Sequence, residues 1–282
     1  MLEFIIEIVE HSIIDTLKLI PFLFLTYLVM EYLEHKAGSH TETLVKKAGK
    51  LGPVIGALAG IVPQCGFSAA AANLYAGRVI SLGTLMAIFL STSDEMIPIL
   101  MANPGAISTI GTVLGIKVLI AIVAGFLIDA LQKGKEEEHH HIHEMCEHEH
   151  CNCEKGIFRS ALTHTLHISL FIFLVTFVLT WAIHGVGEEA LAGLVLNRPV
   201  LGPVLAGIVG LIPNCAASVV ITQLYVEGAI GLGSMIAGLL TGAGVGLMVL
   251  FRVNEDKKEN LKILGLLYGI GVISGIVLEL IF

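Results

Sequence analysis

The stretch "LGPVIGALAGIVPQC" at residues 51–65 returns as "LGPVLAGIVGLIPNC" at residues 201–215. The two copies align without a gap at an offset of 150 residues, and residues 51–100 share 16 identities with residues 201–250. The same offset continues to three further pairs near the C-terminus: Gly115 with Gly265, Gly125 with Gly275, and Asp129 with Glu279. A duplication of this extent predicts two copies of one structural unit.

The composition places both copies in a membrane. Of the 282 residues, 55% are hydrophobic and only 14% are charged, whereas soluble domains carry about 25% charged residues. The first twenty residues are mostly apolar and have no early cluster of basic side chains, which indicates an uncleaved first span rather than a signal peptide. The five cysteines are divided between apolar segments and one loop, so no disulfide scaffold is expected.

The apolar segments divide into long and short ones. Segments long enough for a bilayer of ~30 Å occupy residues 11–33, 80–102, 107–131, 160–184, 230–251 and 261–282. The repeated motifs are shorter: residues 51–63 would form roughly 20 Å of helix and residues 68–77 roughly 15 Å. We therefore predict an all-α polytopic membrane protein with three full transmembrane helices and one re-entrant or short helical hairpin per repeat, ten helical segments in all.

Three crossings per repeat give the two repeats opposite orientations, because three is odd. Basic residues collect on the cytoplasmic side of membrane proteins. In this topology every lysine and arginine outside the spans falls on one side, except Arg198. We predict a multi-pass protein of the cytoplasmic membrane with both termini outside. The predicted domains are a first repeat at 1–132, a cytoplasmic linker at 133–156 and a second, inverted repeat at 157–282.

Each hairpin tip, residues 63–65 and 213–215, carries a proline, an amide and a cysteine. Inverted repeats with interrupted helices are typical of secondary transporters, which bind substrate near the midplane where the repeats meet. Paired thiols would suit a thiophilic metal or metalloid, although cysteine also packs well as a small buried residue. The predicted substrate-binding residues are Cys65, Cys215, Gln64, Asn214, Ser68, Ser218, Asn73 and Gln223.

Charged residues lie deep within predicted crossings of the first repeat only. Asp94 and Glu95 lie in residues 80–102, and Lys117 is mid-span in the next crossing, where the second repeat has Leu267. Carboxylates inside a span are costly and mark ion or proton paths, whereas a structural ion pair with Lys117 is the alternative. We predict a coupling role for all three residues, with the proton as the coupling ion.

Other polar residues in the spans are given structural roles. Asp129 and Glu279 lie near span ends, where snorkelling towards water would accommodate their charges. His164 and His167 share one helix face and are predicted to be core histidines rather than ligands.

The linker "KGKEEEHHHIHEMCEHEHCNCEKG" at residues 133–156 is rich in metal-binding side chains. Imidazole and thiolate are ligands for zinc, copper, nickel or cobalt, and a solvated acidic linker is the alternative. The predicted metal ligands are His139, His140, His141, His143, Cys146, His148, His150, Cys151 and Cys153. No cofactor is expected for transport itself.

The paired "GPVxxxxxGxxPxC" tips, the Leu-Tyr that follows each, and "SLGTLMAIFLSTSDEMIPIL" at 81–100 resemble the ten-helix heavy-metal exporters. These are relatives of the organoarsenical permeases and are often labelled arsenic efflux proteins or manganese transporters. The resemblance covers nearly the whole chain and implies efflux of a toxic metal or metalloid, with Cys65 and Cys215 at the family's Pro-x-Cys positions. It also implies further cysteines beside the first, but this chain has Gly66, Phe67, Ala216 and Ala217 there.

Several functions remain compatible with these residues. The favoured one is secondary-active export of a thiophilic heavy metal or metalloid, and the second is transport of manganese or zinc by Asp94, Glu95 and the hairpin amides. No phosphate-binding loop occurs, so direct use of ATP is not expected. A thiol enzyme or a membrane metal sensor is the alternative from another class, and an enzyme is not expected. The expected partners are the substrate, the lipid bilayer and a second copy in a homodimer; nucleic acid is not expected, because no basic stripe is present.

Overall fold

The computed structural model describes residues 51–62, 65–92, 96–102, 107–132, 157–186 and 199–281, with separate helical positions between residues 9 and 28. Regular structure in these ranges is entirely helical. The first repeat forms α1 (Gly52–Gly60), α2 (Cys65–Ala76), α3 (Leu82–Ser91), α4 (Met96–Ala102) and α5 (Ile107–Gln132). The second repeat forms α6 (Ile157–Val186), α7 (Leu201–Gly210), α8 (Cys215–Val226), α9 (Leu232–Thr241), α10 (Val245–Val253) and α11 (Lys257–Ile281).

The helix bounds reproduce the internal repeat. When the two repeats are aligned at an offset of 150 residues, α2 has the same first and last positions as α8, and α3 has the same first and last positions as α9. The hairpin arms α1, α2, α7 and α8 are 9 to 12 residues long, too short to cross a bilayer as single helices. The prediction of an all-α polytopic fold with short hairpin helices is confirmed.

Two of the predicted crossings contain a break that the sequence analysis did not place. Residues 230–251 form α9 and α10, which are separated by the non-helical residues 242–244. Gly244 has φ 54°, a left-handed conformation that glycine adopts without strain. In the first repeat, α3 ends at the equivalent point, where Thr92 leaves the helix with ψ 130° and α4 begins at Met96.

The side chains of the first repeat explain why α3 ends there. The hydroxyls of Ser91 and Thr92 donate to the carbonyl of Ile88 at 3.1 and 2.8 Å, and the amide of Thr92 donates to the same carbonyl at 3.0 Å. Serine and threonine that bond back to the preceding turn compete with regular helix geometry. Each repeat therefore has two half-helices in this crossing.

The broken crossings are central and the unbroken ones are peripheral. Three stretches of the described chain are long and apolar enough to span a membrane: Ser108–Gln132, Leu232–Val253 and Lys257–Ile281. The stretch from Leu232 is 83% buried inside the protein, compared with 28% for each of the other two. The α5 and α11 helices thus leave most of their surface for lipid, whereas the α9–α10 crossing lies in the core.

Glycines bring α3 against α5, and α9 against α11. A Cβ atom on Gly83 would lie 2.2 Å from the carbonyl oxygen of Gly125, and one on Gly233 would lie 2.3 Å from that of Gly275. Small residues allow helices to pack this closely in membranes, where no hydrophobic force drives them together. The close approach is the same in both repeats.

At both crossings a carboxylate caps a helix, which corrects the prediction of snorkelling. Asp129 on α5 accepts from the amide of Gly83 and the hydroxyl of Ser81, both at 2.8 Å. Glu279 on α11 accepts from the amide of Ser234 at 2.8 Å. The first amides of a helix lack intrahelical acceptors, and a carboxylate at that end also opposes the positive end of the helix dipole.

The two repeats interlock through their hairpins. The second arm of the first hairpin, α2, packs on α10, and the second arm of the other hairpin, α8, packs on α4. Gly246 of α10 is so close to α2 that a Cβ atom there would lie 2.6 Å from the Cβ of Ser68. These reciprocal contacts are those expected of two repeats related by a two-fold axis, and they bring hairpin tips and helix breaks together.

Candidate substrate site

A small cavity lies where the second hairpin tip meets the helix breaks. Its volume is about 20 Å³, space for a guest of the size of a water molecule or an ion. Residues from both repeats line it: Thr92, Gly210, Ile212, Asn214, Ala217, Ser218, Gly238, Leu239, Gly242 and Gly244. Thr92 comes from the break after α3, and the two glycines at 242 and 244 from the break after α9.

The cavity lies on the second repeat's side because that repeat has the smaller side chains. Ala217 and Gly238 line the cavity, and the equivalent positions of the first repeat hold Phe67 and Ile88. Ala217 and Gly238 leave more room beside the second tip than a phenylalanine and an isoleucine would.

Asn214 fixes the geometry of the second hairpin tip. It is the N-cap of α8, with φ −144° and ψ 145°, and its Oδ1 accepts from the amide of Ala216 at 2.9 Å. This bond satisfies one of the free amides at the start of the helix. Cys215 is the first residue of α8.

The first tip is described only from Cys65, the first residue of α2. Gln64 lies outside the described residues. Because α2 and α8 share their bounds at the 150-residue offset, Cys65 and Cys215 have the same place in their hairpins. The structure thus places both predicted cysteines at helix starts.

Lys117 lies beside the cavity and joins the two repeats. It is on α5 and has no exposed surface. Its Nζ donates to the carbonyl oxygen of Thr92 and, at 2.9 Å, to that of Leu239. Both acceptor residues line the cavity. The sequence predicts a role for Lys117 but not for these two carbonyls, because no side-chain pattern indicates a backbone acceptor 122 residues away.

The remaining predicted binding residues divide into two groups. Ser218 lines the cavity, and Ser68 is fully buried against α10. Asn73 is fully buried, accepts from the hydroxyl of Tyr27 at 2.8 Å and donates to Ala69 at 3.0 Å, so it ties the N-terminal helical residues to α2.

Gln223, the counterpart of Asn73, is exposed and donates to Glu227 at 3.2 Å. Neither Asn73 nor Gln223 lines the cavity, and their contact with substrate stays a prediction. His164 is buried and stacks on Tyr27, with ring centroids 5.2 Å apart, as the core assignment predicts, whereas His167 is exposed.

The predicted carboxylates and the linker ligands lie outside the described residues. Asp94 and Glu95 fall between α3 and α4, and residues 139–153 fall between α5 and α6. At the repeat offset, Asp94 corresponds to Gly244, which lines the cavity. Within the part of the chain that the structure describes, no three His, Cys, Asp or Glu side chains come together as a metal site.

A polar cluster that no sequence motif indicates links the two repeats. Arg78, in the turn after α2, pairs with Glu259 at the start of α11 at 3.3 Å, and the hydroxyl of Tyr75 donates to Glu259 at 2.6 Å. Asn254 donates to the same carboxylate at 3.0 Å. Burial would lower the pKa of the Arg78 guanidinium, but the hydrogen bonds and charge of Glu259 outweigh it and raise that pKa above its usual value. In the predicted topology both Arg78 and Glu259 lie outside the spans on the cytoplasmic side, but no sequence pattern indicates that they form a pair.

The comparisons with known proteins agree with this architecture. The family model described as "Putative, 10TM heavy-metal exporter" matches residues 4–185 and 157–282. The chain belongs to this family. Its membership confirms the resemblance found in the sequence, and it makes the protein a membrane-integral, multi-pass member of an exporter family. No curated protein and no solved structure matches the chain.

Proposed function

We propose that this exporter-family protein carries a thiophilic heavy metal or metalloid out of the cytoplasm, with the substrate held between the hairpin tips. The observation that carries the proposal is the cavity at the junction of a hairpin tip and two helix breaks. Secondary transporters bind substrate where broken helices of two repeats meet. Cys215 follows the cavity-lining Asn214 directly, and Cys65 has the equivalent place in the other hairpin.

The proposed coupling uses Asp94 and Glu95. Asp94 is equivalent to Gly244 at the second break, so a carboxylate there would be within the same central region as the cavity. A carboxylate that is costly in its charged form inside a membrane can take up a proton and release it as its surroundings change. Proton antiport would then drive export, with Lys117 as a neighbouring positive charge.

A second candidate substrate is a divalent cation such as manganese or zinc. Three of the residues that line the cavity have side-chain oxygens: Thr92, Asn214 and Ser218. Oxygen ligands suit manganese better than sulfur does. In either case we assign the linker to the cytoplasmic side, where its imidazoles and thiols would capture transition metals before transport.

Transport into proteoliposomes tests the proposal. The purified full chain, oriented so that the linker faces outward, should accumulate arsenite, Zn²⁺ or Mn²⁺. C65S and C215S should each reduce uptake of a thiophilic substrate at least tenfold while leaving expression and the unfolding temperature unchanged. The matched control is C153S, which removes a thiol from the linker and should retain arsenite uptake.

Three outcomes separate the candidates. Loss of arsenite uptake in both tip variants supports the thiol site. Mn²⁺ or Zn²⁺ uptake that survives both substitutions supports the oxygen site instead. Thiol turnover without flux would identify an enzyme, and binding without flux a sensor; either result would overturn the transport function.

A further inference from the structure

Lys117 makes two contacts that are unusual for a lysine inside a membrane protein. Its ammonium lies between the carbonyl oxygens of Thr92 and Leu239, one in each repeat, and the side chain is fully buried. Burying a charge requires strong compensation by polar partners. The second repeat has no lysine at this position. The equivalent residue on α11 is Leu267, which is also fully buried.

Both carbonyls are available because their helices break. In a continuous helix the amide of Ala243 would donate to Leu239, four residues earlier. Here that amide donates to Thr241 at 3.0 Å, which leaves the Leu239 carbonyl for Lys117. Thr92 is the C-cap of α3, and its ψ of 130° turns its carbonyl away from the helix. Lys117 therefore satisfies two acceptors that the breaks release.

The same two carbonyls mark the negative ends of two half-helices. Thr92 closes α3, and Leu239 lies in the last turn of α9. A helix C-terminus carries about half an elementary negative charge, so two of them together balance roughly one positive charge. Released carbonyls and half-helix C-termini of this kind bind the coupling cation in secondary transporters.

We infer that the Lys117 ammonium permanently occupies a cation site formed by these two backbone carbonyls. Without the ammonium, the site would bind an exchangeable monovalent alkali cation. The lysine joins the α3 and α9 half-helices without an ion from solution. The wild-type protein therefore needs neither Na⁺ nor K⁺ at this position. Removing the ammonium while keeping the side-chain volume opens the site to a free cation.

Thermal unfolding of the purified full chain in NaCl, KCl or choline chloride at equal ionic strength tests the inference. K117M lacks the ammonium, so its unfolding temperature should rise with Na⁺ or K⁺ and level off roughly 5 °C above the value in choline chloride. The wild type should show no difference among the three salts. L267M is the matched control, since it places methionine at the equivalent buried position of the other repeat, and it should behave like the wild type.

Equilibrium binding of radiolabelled Na⁺ and Rb⁺ gives a second readout. K117M should bind about one ion per chain, and the wild type and L267M none. Equal unfolding temperatures of K117M in all three salts, with no ion bound, would overturn the inference. Failure of both K117M and K117Q to fold in every salt would also overturn it, because a free cation could then not replace the ammonium. The inference builds on the proposed transport site, but these tests use no transported substrate, so each proposal can fail separately.

Discussion

Arg78 and Gly228 occupy the same position in the two repeats, and both have a left-handed backbone, with φ 57° and 74°. Each lies in the turn between a hairpin arm and the next half-helix. A left-handed conformation costs a residue with a side chain roughly 1–2 kcal/mol, but glycine much less. The first repeat thus keeps an arginine in a turn whose geometry favours glycine, and the arginine's contacts with Glu259 and the Tyr75 ring compensate.

The Arg78–Glu259 pair should couple the two repeats energetically. A double-mutant cycle of R78G and E259Q should give a coupling energy of about 1 kcal/mol, because the pair is three-quarters buried and shares hydrogen bonds with Tyr75. R78G alone should lose less stability than R78A, since glycine relieves the strained turn. Unfolding in detergent measures both effects. K258Q, an exposed charge change at the start of α11, is the control, and additive effects of R78G and E259Q would exclude the coupling.

The helix crossings at Gly83 and Gly233 should tolerate no side chain. G83A should destabilise the protein by more than about 2 kcal/mol, because the new Cβ would lie 2.2 Å from the Gly125 carbonyl oxygen, a backbone atom that cannot move aside. G115A is the matched control on α5, where a Cβ would meet nothing within 4 Å; it should be neutral or slightly stabilising, as alanine favours helix. The measurement is the unfolding temperature of G83A compared with that of G115A. Equal values would contradict the close approach of Gly83 to Gly125.

The carboxylates between α3 and α4 should carry the coupling proton. D94N or E95Q should abolish the acceleration of transport by an opposing proton gradient, while the substrate still binds, because an amide cannot release a proton. Uptake into proteoliposomes at equal and unequal pH measures this. E255Q, an exposed carboxylate in the turn before α11, should keep the wild-type response. An unchanged gradient response in both D94N and E95Q would leave a structural role for these carboxylates.

The linker should raise the local metal concentration without forming part of the pathway. Replacing residues 139–153 by a Gly/Ser segment of equal length should raise the apparent KM for Zn²⁺ severalfold and leave the maximal rate near that of the parent, because captured ions are lost but the tips remain. Arsenite uptake should be unaffected, since three-coordinate thiophilic species gain little from imidazole. A fall in maximal rate for every substrate would instead place the linker in the pathway.

The sequence alone determined the features that depend on local pattern. The 150-residue repeat, the membrane class and the short hairpin arms follow from residue order, and α2 and α8 begin at the two cysteines that the motif singled out. The glycine and serine-threonine stretches at residues 242–244 and 91–93 contained the signal for the helix breaks. The apolar length of each segment outweighs that signal, so the sequence predicts one continuous crossing in each repeat where the structure has two half-helices.

Only the tertiary structure decided which side chains form hydrogen bonds with the backbone amides and carbonyls that the helix ends and breaks leave free. Asp129 caps α3 from 46 residues away, and Lys117 reaches Leu239 across 122 residues. Such pairings have no periodicity in the sequence. They form because a broken or capped helix inside a membrane has no water for its free amides and carbonyls, so each must find a partner on whichever helix the fold brings near.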